Sequence, residues 1–278
     1  GRLVLPGYGG GASWPGAGID VEAGILFIPS VTVPIVVALG EGDPGGTNAR
    51  YIRLGPIYPP GPRGLPLVKP PWGRITAIDL NTGDHLWMSA HGDGPRNHPA
   101  LKDLNLPALG GGNGMAGGGP LVTKTLLIVN SGGRDVASMD EVASTITAYD
   151  KDTGELLAAF GAGVFVTPHG LHVADDGNVW ATDFAGNADG TKGHQVHKFS
   201  PTGELLLSLG VAGQPGNGPD HLNQPNDVIV APDGSIFVAD GHSGQNLTTD
   251  QQMDDARAAG LTGRIVKYSP DGEYIMEW

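Results

Sequence analysis

One strand–turn–strand pattern occurs four times along the chain: RITAIDLNTGDHLW from Arg74, TITAYDKDTGELLAAF from Thr145, QVHKFSPTGELLLSLG from Gln195 and RIVKYSPDGEYIMEW from Arg264. So short a turn needs a residue at positive φ, which glycine adopts without steric cost, and Gly83, Gly154, Gly203 and Gly272 stand at that place. Asp79 and Asp150, or Ser200 and Ser269, sit where a side-chain oxygen holds the turn. A second hairpin lies upstream of each: GAGIDVEAGILFIPS from Gly16, GGPLVTKTLLIVNS from Gly118, PHGLHVADDGNVWATD from Pro168 and QPNDVIVAPDGSIFVAD from Gln224. Two hairpins in succession make a four-stranded meander, and the step from Gly154 to Gly203 is close to the roughly 40–50 residues of a propeller blade. The expected fold is all-β: a β-propeller of four-stranded blades, four of them in this chain, either closed as a small ring or completed to eight blades in a homodimer. In the dimer, Arg2 to Leu5 is expected to add an edge strand at the join.

Composition agrees with strands and bounds the chemistry. The 47 glycines and 23 prolines among 278 residues interrupt any long helical pattern, while 39% hydrophobic residues suffice for a core. A formal charge of −13 repels a phosphate backbone, which argues against nucleic acid as a partner. No apolar run reaches the roughly 18 residues of a membrane-spanning helix, and Val31 to Leu39 (VTVPIVVAL) is too short and carries a proline. With no cysteine there is no thiolate site, so any metal must be held by His, Asp or Glu. No G-x-S-x-G, P-loop or H-E-x-x-H pattern is present, so serine hydrolase, nucleotide-dependent and zincin readings lose their usual support.

The blades differ in their insertions, which in repeat proteins collect on one functional face. A Pro-rich segment, Val31 to Trp72, separates the hairpins of the first blade, and a Gly-rich loop (GGGNGMAGGG) precedes the second. In the fourth, TDQQMDDARAAG from Thr249 predicts the one helix, with Thr249 and Gln252 as a capping box and Gly260 as its stop.

Two resemblances meet in this chain. GGGASWPGAGIDVEAGILFIPS, LPLVKPPWGRITAIDLNTGDHLW and PALGGGNGMAGGGPLVTKTLLIV resemble, in that order, the C-terminal blades of PQQ-dependent quinoprotein glucose dehydrogenases. Ala77, Asp79, Gly83 and Trp87 fit that family's A-x-D-x-x-x-G-x-x-x-W docking pattern, which implies an aromatic staple buried between blades; in the second blade Ala158 stands in the Trp position. From about Pro168, PHGLHVADDGNVWATD, HQVHKFSPTGELLLSLG and HLNQPNDVIVAPDGSIFVADGH resemble NHL-repeat propellers, among them the peptidyl-α-hydroxyglycine α-amidating lyases. The expected organisation is therefore quinoprotein-like blades over residues 1–161 and NHL-like blades over residues 162–278, in one continuous propeller.

The second resemblance implies zinc bound by histidines from different blades, and a structural calcium. It carries over His169, in the P-H-G motif, and His221, just before Q-P-N-D-V; its third ligand is expected in a following blade. Aligning the Asp-Gly turns sets Asn226 opposite His169 and places Asp183 and Asp240 at the ends of equivalent strands. His242, just past Asp240, is then a candidate third ligand or substrate contact. The two aspartates either orient metal-bound imidazoles or cap turns. His172 is expected to pack or to bond to backbone, and His194 and His197 to lie on the surface. Most quinone-binding residues of quinoproteins lie in earlier blades that this sequence lacks, so PQQ is not expected; Lys69 and Trp72 are the first-half remnants of such a site.

Three functions remain open at this level. One is a zinc-dependent lyase cleaving the C–N bond of a carbinolamide in a small molecule or peptide, with no residue singled out as base. The second is a quinoprotein-like sugar or alcohol dehydrogenase, and the third a non-catalytic propeller binding a partner or glycan. The resemblance implies a periplasmic or secreted location.

Overall fold

The computed structural model describes residues 1–7, 10–12, 16–43, 45–55, 57–111, 119–134, 141–242, 249–258 and 263–278. The strands are, in chain order, β1 (Arg2–Val4), β2 (Gly18–Asp20), β3 (Ile25–Val31), β4 (Ile35–Val37), β5 (Leu39–Glu41), β6 (Tyr51–Arg53), β7 (Gly73–Asp79) and β8 (His85–Ala90). They continue as β9 (Leu121–Val122), β10 (Leu126–Arg134), β11 (Glu141–Asp150), β12 (Leu156–Phe160), β13 (Pro168–Val173) and β14 (Val179–Asp183). The last six are β15 (Gln195–Phe199), β16 (Leu205–Leu209), β17 (Pro225–Val230), β18 (Ile236–Asp240), β19 (Arg264–Tyr268) and β20 (Tyr274–Glu277). Four sheets of four strands result: blade I is β2-β3-β7-β8, blade II β9-β10-β11-β12, blade III β13-β14-β15-β16 and blade IV β17-β18-β19-β20. These are the blades of a β-propeller, each built from the two hairpins that the repeat marks. Among the described residues no helix is long and apolar enough to cross a membrane.

The outer hairpins share one more feature. Each shifts register at the same place, at Ala77/Ile78, Ala148/Tyr149, Lys198/Phe199 and Lys267/Tyr268, and this bulge fixes which residues are equivalent from blade to blade. The turns form as their residues dictate. The Asp150 carboxylate accepts the Asp152 and Thr153 amides at 3.0 and 2.8 Å, and the Ser200 and Ser269 hydroxyls each accept the amide four residues on at 3.0 Å.

The chain divides into two compact units, residues 1–115 with 134–142 and residues 116–133 with 143–278. The first contains blade I and its insertion. There β1 pairs antiparallel with β4, so Arg2 to Val4 are held within the insertion of their own blade, which corrects the expectation of a spare edge strand. Trp87 is half-buried and its ring lies 5.8 Å from that of Phe27. Phe27 and Trp87 both face Ala77 across the sheet, so this ring contact sits within blade I, and the aromatic expected to be buried is half-buried.

In the second unit the core is two apolar layers. One joins Ile128, Ile146 and Ala148 of blade II to Val179, Ala181 and Phe199 of blade III. The other joins Trp180, Val196 and Leu209 of blade III to Val228, Ile236 and Val266 of blade IV. The turn glycines take part in both. A Cβ on Gly203 would lie 2.6 Å from Phe160 Cβ, and one on Gly272 2.9 Å from Leu209 Cδ2, so each turn rests on the outer strand of the preceding blade. Positive φ and close approach therefore demand glycine together. The helix α1 (Asp250–Ala258) forms with the predicted reciprocal cap: the Thr249 amide donates to Gln252 Oε1 at 3.1 Å and the Gln252 amide to Thr249 Oγ1 at 3.2 Å. Gly260 lies outside the described residues.

Arg264 ties blade IV to the segment that leads into it. Its guanidinium, with 7% of the side chain exposed, donates to Asp240 Oδ2 at 3.0 Å and to the carbonyls of Asn217, Gly216 and His221 at 2.8, 3.2 and 2.7 Å. It also reaches Glu277 Oε2 at 2.5 Å. Arg264→Met leaves the Asp240 charge buried beside an apolar chain, and is expected to lower unfolding free energy in urea by about 3–5 kcal/mol. A loss under about 1 kcal/mol shows that backbone amides alone hold Asp240.

Candidate active site between blades III and IV

The inner strands of blades III and IV both begin with a proline and a bulge. In β13 the register shifts between Pro168 and Leu171, and in β17 between Pro225 and Asp227. An extra residue in a strand redirects side chains, and here the residue so placed is His169 in one blade and Asn226 in the other. The Gly170 amide donates to Thr182 Oγ1 at 2.8 Å, which fixes the bulge. A Cβ at Gly170 would come within 2.7 Å of both Asn226 O and Asp227 Cα, so only glycine lets the two bulges approach.

Their approach positions His169. Its Nδ1 lies 2.8 Å from the Asn226 carbonyl oxygen, and its own carbonyl accepts from Asn130 Nδ2 at 3.1 Å, so one chain of contacts crosses blades II, III and IV. A carbonyl only accepts, so Nδ1 carries a hydrogen and donates it to Asn226 O. Such an outer hydrogen bond is what orients a ligating or proton-accepting imidazole. The His242 ring lies 5.0 Å from that of His169, and Phe184 stands 5.4 and 5.0 Å from the two rings, all three edge to face. Burial, and after it the neighbouring His169, holds the His242 pKa below the usual imidazole range, so His242 is neutral at neutral pH.

Asp183 and Asp240 hold the backbone on which this pair rests. The Asp183 carboxylate accepts the Val166 and Thr167 amides at 2.9 and 2.5 Å, and that of Asp240 accepts the Asn223 and Gln224 amides at 2.9 and 2.6 Å. Each thus caps the segment entering its own blade. His221 lies in that entering segment of blade IV, where its carbonyl meets Arg264. The structure brings His169 and His242 together, and no group of three His, Asp or Glu gathers at metal-holding distance among the described residues. The donor set is right in kind for zinc, two imidazoles, and short of zinc's usual three protein ligands.

The other histidines are internal. His194 is half-buried with Nδ1 2.5 Å from the Asn223 carbonyl, and His197 is 3% exposed with Nδ1 2.9 Å from Ser208 Oγ. Both correct the surface placement, because blade III is covered on both faces and its polar positions are not turned to water. Burial drives the His197 pKa down to about 4. His172 packs across from Trp180, with its pKa lowered by burial against the opposing charges of Asp227 and Asp175. Lys69 and Trp72 lie in the other unit, at a cavity of about 290 Å³ walled by prolines and leucines. The Trp72 indole N–H donates to Val68 O at 2.8 Å, so the ring offers that cavity an apolar wall.

Phe184 and the Asn226 carbonyl are the contributors that sequence reasoning misses. Phe184 alone carries a signal, an aromatic directly after Asp183 where blade IV has Gly241 after Asp240.

Asp183 differs from Asp240 in having Gln195, not an arginine, across the sheet, so no guanidinium offsets its burial. Burial raises its pKa to about 6 against the amide bonds and Lys192, which lower it. The folded chain then keeps a proton between about pH 4 and 6 that the unfolded chain has released. The sign follows: stability from this group is full below about pH 4 and declines as pH rises through 6. Urea melts are expected to show about 2–3 kcal/mol less stability at pH 7 than at pH 4 from this residue, a slope that Asp183→Asn removes. The same slope in both proteins assigns it elsewhere.

Comparison with known proteins agrees with both halves of the sequence. Residues 1–167 match the family described as PQQ glucose/ethanol/alcohol dehydrogenase, beta-propeller domain. The chain is 36% identical over 137 residues to peptidyl-glycine alpha-amidating monooxygenase of Mus musculus, covering 48% of this chain and 11% of that protein. It is 38% identical over 138 residues to peptidyl-alpha-hydroxyglycine alpha-amidating lyase 1 of Drosophila melanogaster, covering 49% of this chain and 21% of that protein. The matches thus span less than a quarter of the length of either relative. Quinohemoprotein alcohol dehydrogenase from Comamonas testosteroni superposes with a TM-score of 0.47 at 11% identity, over 95% of this chain and 34% of that one. With its model matched over residues 1–167 of 278, the chain belongs to the PQQ glucose/ethanol/alcohol dehydrogenase β-propeller family, and it carries in addition a stretch similar to the amidating lyases.

Proposed function

We propose that the chain acts as a lyase on a carbinolamide, the α-hydroxyglycine type of substrate, at the His169–His242 pair. The observation that carries this reading is the pairing itself: two imidazoles with ring centres 5.0 Å apart, one held through Nδ1 by a carbonyl of the next blade and the other kept neutral by its surroundings. The similarity to proteins named for peptidyl-α-hydroxyglycine cleavage supports it. In the reaction the substrate hydroxyl loses its proton, the oxygen electrons form a carbonyl, the C–N bond breaks and the departing amide nitrogen takes a proton. Two imidazoles side by side suit both transfers, because an unprotonated ring nitrogen accepts from oxygen and the resulting N–H donates to nitrogen. Phe184 lines one side of the pair. The chemistry zinc supplies when bound is acidification of the substrate hydroxyl, and His169 and His242 are the residues that would hold it. The reading implies a peptide or small-molecule substrate and a location outside the cytoplasm.

A second reading, oxidation of a sugar or alcohol by a bound quinone, draws on the family match over residues 1–167. The two separate in one preparation. Incubation with an N-acyl-α-hydroxyglycine is expected to release the primary amide and glyoxylate, with His169→Ala and His242→Ala each lowering kcat at least about 100-fold. Undiminished turnover in both variants removes the pair from the chemistry. Quinone absorbance in a protein that leaves the carbinolamide intact supports the dehydrogenase.

A further inference from the structure

The segment that carries His169 is held by blade II as well as by its own blade. Asn130, in β10 and 3% exposed, donates from Nδ2 to the His169 carbonyl at 3.1 Å. Ser144, in β11 and 1% exposed, donates from Oγ to the Val166 carbonyl at 3.3 Å. Blade II thus takes two carbonyls of residues 166–169, while Asp183 of blade III takes the Val166 and Thr167 amides. A buried amide side chain is costly to desolvate unless it is bonded, so apolar packing alone gives no reason for an asparagine at this place.

The repeat shows that a blade does not need that amide for its own sake. The strand pairs next to the inner turns of blades II, III and IV are Val122 with Leu127, Val173 with Val179 and Val230 with Ile236. Three residues further along the second strand stand Asn130, Thr182 and Ala239. Thr182 uses its hydroxyl inside its own blade, where it accepts the Gly170 amide, and the Ala239 side chain has no polar group. Three blades of one unit therefore form with three different side chains here, and the one that bonds to His169 is the amide. His169 is then tied twice, through its carbonyl to blade II and through Nδ1 to the Asn226 carbonyl of blade IV. Holding the carbonyl sets the peptide plane, and with it the direction in which the imidazole leaves the backbone toward Asn226 and His242.

We propose that Asn130 is a positioning residue of the site, fixing the His169 peptide from blade II so that the imidazole stays on the Asn226 carbonyl and beside His242. This rests on the reading of that pair as the active site. Asn130 lies within the residues matched to the quinoprotein family and His169 lies past their end, so the site draws on both parts of the chain. Asn130→Thr is the test, because blade III forms with threonine at this place and the threonine hydroxyl reaches one bond less far than the amide. With the histidine rings labelled with 15N, the Nδ1–H of His194, which bonds to the Asn223 carbonyl, serves as the reference. The unaltered chain is expected to show both ring protons protected from water, that of His169 being identified by its loss in His169→Ala. In Asn130→Thr the His169 ring proton is expected to exchange at least about 10-fold faster while that of His194 keeps its rate. Turnover of an N-acyl-α-hydroxyglycine is expected to lose about 10- to 100-fold in kcat, with KM within about twofold. An unchanged His169 ring proton overturns the proposal, and so does a change that His194 shares, which describes a general loosening of the blades. An unchanged kcat beside a lost ring proton overturns it as well. If the unaltered chain leaves the carbinolamide intact, the lyase reading fails, and the ring protons alone decide whether Asn130 positions His169.

Discussion

A carboxylate buried at the end of the second strand holds the entrance to each of the two NHL-like blades. Asp183 and Asp240 take the backbone amides of residues 166–167 and 223–224, and from there the chain turns into a proline, a bulge and the inner strand. Amides entering a sheet edge away from water must find acceptors, and a carboxylate satisfies two at once more strongly than a neutral group. The place of His169 follows from this anchoring, since it is the residue after the proline. His242 follows from it too, two residues beyond Asp240. The cost is a buried charge, which Arg264 offsets in blade IV and partial protonation relieves in blade III.

The architecture is legible in the amino-acid sequence because the repeat states it several times over. Four turn glycines, four polar turn residues and strand-length apolar runs agree with one another, and Thr249 and Gln252 announce the helix. Alternation is a poor guide within blade III. Val196, His197 and Phe199 are all buried because apolar layers cover both sides of that sheet, so a polar residue in the pattern does not mark the solvent face. His197 defies the pattern for this reason.

The candidate site is legible in part. Motifs single out His169, and the strand alignment singles out His242, which the fold brings side by side. Asn226 aligns with His169 by its distance from the Asp-Gly turn, but that the link between them runs through its backbone oxygen depends on two bulges approaching across Gly170. Such a link leaves no trace in residue type, since any residue at 226 has that oxygen. Phe184 belongs to the site through the path of the chain after β14, which local propensity does not encode.

The turn glycines bear on how a chain with two kinds of sequence holds together. Gly203, in the NHL-like half, rests on Phe160, the last strand residue of the quinoprotein-like half, as Gly272 rests on Leu209 within the NHL-like half. Blade II, though of the other sequence type, therefore meets blade III by the same device that joins blades III and IV. Because blades III and IV each bring a turn glycine that seats on the outer strand of the blade before, the boundary between blades II and III divides no hairpin and no sheet. The seam between the two sequence types is then an ordinary blade boundary, closed by the same glycine-on-strand contact as the boundary within the NHL-like half.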